Sequence, residues 1–305
     1  MHLVGHHETG CAVSHYERQL GAALAYAAAH GMEAIKTGYV CDAGQVERQD
    51  TQGAAVTREW HDGQWMVNHH LRVVREAVRH RIAINPHEPV KDTGLRRTWP
   101  NWVSREGARG MEYNAWGHPP NPPEHEVNLV FTRLLAGPMD YTPGIVSLTG
   151  RGGQEIPSTL ARQLALYITI YSPIQMVADL PEHYAQHPEA FRFIRDVAVD
   201  WEETRVLDGE IGEFVAIARK ARRRGGEWFV GAIGDRNART LQVPLDFLDA
   251  GKRYRAEIHR DGEGAGYRGD ARFRFVREER IVTSRDVLSL WMAGGGGFAI
   301  RLVPL

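Results

Sequence analysis

The chain has 305 residues, of which 43% are hydrophobic and 25% charged, a composition that suits a folded, core-forming protein and excludes disorder and collagen-like repeats. Its formal net charge is −1, so there is no cationic excess to neutralise a nucleic-acid backbone, and a neutral or small polar ligand fits better. The two cysteines, Cys11 and Cys41, form no CxxC and suggest neither a disulfide framework nor a zinc ribbon. The first residues, Met-His-Leu-Val-Gly-His-His-Glu, have neither the basic leader of a signal peptide nor the apolar run of a membrane span.

In chain order, His2 to Gly5 reads as a strand leading into His6-His7-Glu8. Ser14 and Glu17 have the spacing of a capping box, and the alanine-rich stretch from there to His30 predicts a helix closed by Gly31. Glu33 to Val40 is the next strand. The polar stretch from Cys41 to Asp62 reads as a long loop, and Gly63 to His80 has apolar positions at helical spacing. Arg81 to Asn85 is a third strand, running into Pro86-His87-Glu88-Pro89. Beyond an irregular Gly- and Arg-rich stretch, helices are expected over 124–135, 159–171 and 188–199, with a strand-like turn at 138–141.

This alternation predicts strand–helix units around a parallel sheet. After Trp201 the pattern changes to short β-prone runs at 214–218, 228–233, 254–259, 273–276 and 298–303, which argue for an antiparallel sandwich. A boundary near residue 204 separates the two, giving domains 1–204 and 205–305.

In a parallel barrel, chemistry sits at the C-terminal strand ends. That rule selects Glu8, Lys36 and Glu88. Two further acids, Glu106 and Glu112, lie in glycine-flanked, aromatic-rich backbone. Hydrolysis of a glycosidic bond needs such a set, one carboxylic acid to protonate the leaving oxygen and another carboxylate to activate water or attack. Clustered carboxylates also suit a hard cation such as Ca²⁺. Tyr113, Asn114 and Trp116 offer stacking and hydrogen bonding to a sugar, whereas Trp99 and Trp102 read as core. His69 and His70 diverge by about 100° on their helix, which argues against a shared zinc ion, and no HExxH spacing occurs; a zinc-dependent hydrolase is the weaker reading.

The stretches HLVGHHET, AIKTGYV, DGQWMVNHH, INPHEPVKDTGLRRTWPN, SREGARGMEYNAW and FTRLLAGPMDYTPGI together resemble glycoside hydrolase family 97, and the resemblance continues through RDVAVDW into the C-terminal β-region. It implies part of a (β/α)8 TIM barrel followed by an antiparallel β-sandwich, and a Ca²⁺-dependent, inverting α-glucosidase acting on short α-glucans. Carried over by position, Glu112 matches the general acid and Glu88 and Glu8 the carboxylates that activate water. Glu88, Glu106 and Glu112 match Ca²⁺ ligands; His6, Lys36 and His87 match residues lining the sugar pocket. Retaining members carry an aspartate nucleophile where this chain has Gly38, so the resemblance implies inversion. The family's N-terminal domain and opening barrel strands have no counterpart here, which implies a fragment whose missing half a separate chain could supply, and a parent enzyme that is periplasmic or secreted. The alternative is a non-catalytic fragment with residual carbohydrate binding through Trp116. No nucleic-acid or membrane partner is expected.

Overall fold

The computed structural model describes residues 3–305, and His2, at the start of the first predicted strand, lies outside them. The chain folds as two compact units. The first comprises residues 1–108 and 136–140, the second residues 109–135 and 141–305.

The first unit is built on a parallel sheet in the order β1-β2-β5, with β1 (Leu3–Glu8), β2 (Met32–Gly38) and β5 (Ala83–Pro86) joined through α1 (Val13–Ala29) and α2 (Gln64–Arg79). Both helices form because apolar residues recur at helical spacing. Val13, Tyr16, Leu20, Leu24 and Ala27 of α1 and Met66, Val73, Val74 and Ala77 of α2 share one core cluster with Ile35 and Ile84 of the sheet. Trp102 lies in that cluster and Trp99 packs against it, as their reading as core residues required.

Local expectations fail in three places. Ser14 and Glu17 do not cap α1, whose N-cap is Ala12 with no side-chain cap bond. The Ser14 hydroxyl instead accepts the Gln49 N–H at 2.8 Å, and Glu17 accepts from His69 and Arg72 at 2.8 and 2.7 Å; tertiary partners outcompete the local box. The cysteines, whose spacing suggested no disulfide framework, form a Cys11–Cys41 disulfide. The predicted loop after Cys41 folds into an antiparallel hairpin, β3 (Val46–Arg48) with β4 (Thr57–Glu59), laced by Arg48–Glu59 and Arg58–Glu47 pairs.

The second unit begins with α3 (Tyr113–Trp116) and α4 (Glu124–Phe131) and continues through α5 (Leu160–Thr169), α6 (Pro181–Gln186) and α7 (Pro188–Asp196). Thr159 caps α5 by accepting the Arg162 N–H. Residues 138–141 form no strand. Then come β6 (Trp201–Glu210), β7 (Phe214–Ala221), β8 (Trp228–Gly234), β9 (Arg239–Pro244), β10 (Tyr254–Asp261), β11 (Phe275–Val282), β12 (Val287–Met292) and β13 (Gly297–Pro304).

Six of these strands make an antiparallel sheet in the order β11-β10-β13-β8-β7-β6, and β12 pairs with β9. Leu241, Val243, Leu288 and Leu290 of that pair share a core cluster with Val230, Ile258 and Ile300 of the large sheet. Leu164 and Ile168 of α5 and Phe193 of α7 join Phe229 and Ala299 in another. Gly231 permits the helix to approach the sheet, since a Cβ there would stand 2.8 Å from the Ile168 Cβ. No described helix is long and apolar enough to cross a membrane.

Candidate active site

Parallel register places the polar residues of the first unit on rungs. His6 pairs with Lys36, and Lys36 with Asn85; one rung on, Glu8 pairs with Gly38, and the His87 N–H continues the ladder by donating to the Thr37 carbonyl at 2.7 Å. Because side chains alternate along a strand, Ile35 and Tyr39 turn to the α1/α2 core while Lys36 and Gly38 take the opposite face. On that face His6, Lys36 and Asn85 form one row and Glu8 and His87 flank Gly38 in the next. His7 points the other way, its Nδ1 3.0 Å from the Tyr16 hydroxyl, and burial pushes its pKa down.

Gly38 decides where Glu8 can sit. A Cβ at residue 38 would lie 1.9 Å from the Glu8 Oε2, so the carboxylate occupies space that any other residue would fill. Glu8 Oε1 accepts the Gly10 and Val40 N–H groups at 3.2 and 3.3 Å, and its Oε2 stands 3.5 Å from His6 Nε2. Both amides neighbour a cysteine of the disulfide.

Glu88 departs from the strand with φ of 44°, the left-handed region that non-glycine residues rarely occupy. Backbone strain of that kind, of order 1–3 kcal/mol, persists where surrounding contacts over-determine it and clusters at functional sites. Its Oε2 accepts the Tyr39 N–H at 2.8 Å. Tyr39 is itself held through its hydroxyl, 3.0 Å from His69 Nε2, whose Nδ1 is 2.8 Å from Glu17. His69 and its neighbour therefore do structural work: His70 stacks on Trp102, and burial lowers the pKa of both histidines.

Glu106 closes the group in the first unit. Its Oε2 is 3.5 Å from His87 Nδ1 and 3.5 Å from the Glu88 N–H. The segment leading to it is anchored by Arg105, whose guanidinium lies over the Trp102 ring and donates to the Val90 carbonyl. Of the residues singled out from the sequence, His6, Glu8, Lys36, His87, Glu88 and Glu106 belong to this unit. Asn85 and Asp140 join them without having been foreseen: the Asp140 carboxylate is fully buried and contacts both Asn85 and His87. The only local signal was the two-residue step from Asn85 to His87.

Glu112 belongs to the second unit and is exposed. Its segment is held on both sides. The Met111 N–H donates to the Tyr141 carbonyl at 2.8 Å, and Asn114 accepts the Asn121 N–H at 2.8 Å. Beneath it the Tyr141 hydroxyl donates to Glu126 at 2.5 Å, and Arg162 donates to the other Glu126 oxygen at 3.0 Å. Trp116 is 66% exposed and packs edge-on against Tyr113, open to a ligand as a core tryptophan would not be.

The family description "Glycoside hydrolase 97" matches residues 1–108, and "Glycosyl-hydrolase 97 C-terminal, oligomerisation" matches residues 200–303. A Glycoside Hydrolase Family 97 enzyme from Pseudoalteromonas sp. strain K8, solved with acarbose, superposes with a TM-score of 0.95 at 51% identity, over 99% of this chain and 47% of that one. This chain belongs to glycoside hydrolase family 97. The same Pseudoalteromonas enzyme has been solved with panose, again at 51% identity and TM-score 0.95. A curated relative from Bacteroides thetaiotaomicron, named a retaining alpha-galactosidase, is 34% identical over 79% of this family 97 chain and 37% of its own length. The chain thus spans just under half of the solved relatives and little more than a third of the curated one.

Proposed function

We propose that this family 97 chain carries the catalytic groups of an inverting α-glucosidase acting on short α-linked glucose oligosaccharides. The observation that carries the reading is the rung Glu8–Gly38. There is no side chain at 38 to act as a nucleophile, and the space it would need holds a carboxylate suited to deprotonating water. In this reading Glu8 and Glu88 act as general base, Glu88 aimed by its left-handed backbone and the Tyr39 N–H. Glu112 protonates the glycosidic oxygen. His6, Lys36 and His87 hold sugar hydroxyls, and Trp116 stacks on a ring.

The donor chemistry fits calcium. Glu88 and Glu106 offer hard carboxylate oxygens, and the family resemblance adds Glu112 to the set. A bound Ca²⁺ would orient these carboxylates and balance their charge. The glucosyl preference is supported by the 51% identical relative seen with acarbose and panose. The name of the Bacteroides relative favours retention and a galactoside instead; Gly38 speaks against retention here.

The remaining expectations stay part of the proposal. The parallel sheet of the first unit is read as part of a (β/α)8 barrel, with the C-terminal β-domain taken from residue 205. β1 is an edge strand whose Leu3 and Val4 are exposed, a surface suited to cover by further chain, in the same polypeptide or a separate one. The disulfide suits an oxidising compartment, in keeping with a periplasmic or secreted enzyme.

The acid assignment is tested with Glu112→Gln. Hydrolysis of an oligosaccharide, which has a poor leaving group, is expected to fall at least 100-fold, in the roughly 10²–10⁴ range of general acid catalysis, with a smaller loss on an activated aryl glucoside. Undiminished hydrolysis of the oligosaccharide by the variant would remove Glu112 from the mechanism.

A further inference from the structure

Asp140 carries no role in the catalytic reading above, yet it has zero solvent exposure. Burying a carboxylate is costly unless hydrogen bonds replace its water. One oxygen, Oδ2, collects two side-chain donors: Asn85 Nδ2 at 2.6 Å and His87 Nε2 at 2.8 Å. Both come from the end of β5, on the face that bears Lys36 and Glu8. The backbone of Asp140 is tied elsewhere, its N–H donating to the Arg105 carbonyl at 3.1 Å, one residue before Glu106. Asp140 therefore joins the two segments that bring His87, Glu88 and Glu106 together, although 53 residues separate it from His87.

An ionised carboxylate only accepts hydrogen bonds, whereas a histidine ring can present either nitrogen to a neighbour. With Asp140 on one side, the nitrogen facing it must carry a proton, whatever the state of the other. We infer that Asp140 is a positioning residue of the sugar pocket: it fixes the flip of the His87 ring, with Nε2–H held by the carboxylate and Nδ1 turned toward Glu106, 3.5 Å away. Without it the ring could rotate, and Nδ1 would no longer be held toward Glu106 at the wall of the pocket. A second-sphere carboxylate orienting a working histidine is a general device for selecting one arrangement of the ring. Here the same oxygen also pins Asn85, so the polar row on the sheet is ordered from beneath.

The inference rests on the reading of His87 as a sugar-binding residue, and the test separates the two. The ring protons of ¹⁵N-labelled protein are observed by NMR, with the His87 signal assigned by its loss in His87→Gln. The wild type is expected to show an Nε2–H proton at His87 protected from solvent exchange; Asp140→Asn, whose amide can present either end, is expected to lose that protection. In parallel, KM and kcat are measured on an α-glucoside. Asp140→Asn is expected to raise KM about tenfold with kcat within about threefold, the signature of lost substrate binding, and to have no further effect on KM in a His87→Ala background. Absence of the protected proton from the wild type overturns the inference, a result that stands even if Asp140→Asn does not fold. So does an unchanged KM in a folded Asp140→Asn, or the same rise in KM with and without His87. A wild type that hydrolyses no α-glycoside refutes the glucosidase reading, and the ring proton alone then decides the role of Asp140.

Discussion

Breaking the Cys11–Cys41 bond is predicted to destabilise the first unit sharply. The bridge joins the segment after β1 to the segment after β2 across 30 residues of chain. For a closed loop of that length, the entropy the bond removes from the unfolded chain corresponds to about 3 to 4 kcal/mol. With a urea m-value of about 1.5 to 2 kcal/mol/M for a unit of this size, the midpoint should fall by roughly 2 M. The assay is urea unfolding followed by far-ultraviolet circular dichroism, for the oxidised protein, for the same protein with reductant, and for the Cys11→Ser/Cys41→Ser variant. The last two should agree with one another. In the proposed mechanism the effect reaches Glu8, since the Gly10 and Val40 N–H groups that hold it lie next to the bridged cysteines; the reduced protein should then lose activity at urea concentrations where it is still folded. Coincident midpoints for oxidised and reduced protein would mean that the bridge does not stabilise the first unit.

Gly38→Ala, which sets a methyl group 1.9 Å from the present position of Glu8 Oε2, is expected to lower kcat at least 100-fold, about the loss of a general base, while thermal melts show the fold intact; wild-type kcat in the variant would mean that Glu8 needs no such space. Arg162→Ala leaves Glu126 buried without its cation and should cost about 3–5 kcal/mol, read as a lower urea midpoint, with a loss under 1 kcal/mol contradicting it. Acid should act through His259, which is packed against Phe193 and Phe275 and has its pKa lowered to about 3 by burial first and by Arg277 and Arg192 next. The unfolded chain takes up that proton near pH 6.5 and the native state only near 3, so the unfolded state binds more protons in between. The stability that neutral His259 contributes is complete above about pH 6.5 and is lost as pH falls toward 3, by up to about 5 kcal/mol. Stability measured across that window should fall less steeply in His259→Phe; identical slopes would contradict the assignment.

What could be read from the residues follows the range of the forces involved. α2 was legible because its apolar positions and its core face obey one period, and β2 and β5 because each is a short apolar run. β6 was not, because WEETRVLDGE is an edge strand in which only Trp201 is buried, and charge on an edge hides its strand character while guarding it from pairing. The capping box at Ser14 failed for a reason no local pattern contains: its partners come from residues 49, 69 and 72. Two cysteines 30 residues apart likewise give no pairing signal until β1 and β2 lie side by side. Around the candidate site, the strand-end rule reached Glu8, Lys36 and Glu88, since parallel register brings successive strand ends to one level. Asp140 could not be reached that way. It lies on no strand, and its meaning depends on a hydrogen bond with His87 that only the folded chain creates.

The proposed mechanism is inversion without a nucleophile at residue 38. The most direct test follows, by proton NMR from the first minute, the anomer of glucose released from an α-glucoside by the purified protein with added Ca²⁺. β-Glucose is expected to appear first and α-glucose only later, as the free sugar mutarotates. Initial release of α-glucose would contradict it, because retention requires a covalent carboxylate nucleophile that Gly38 does not supply.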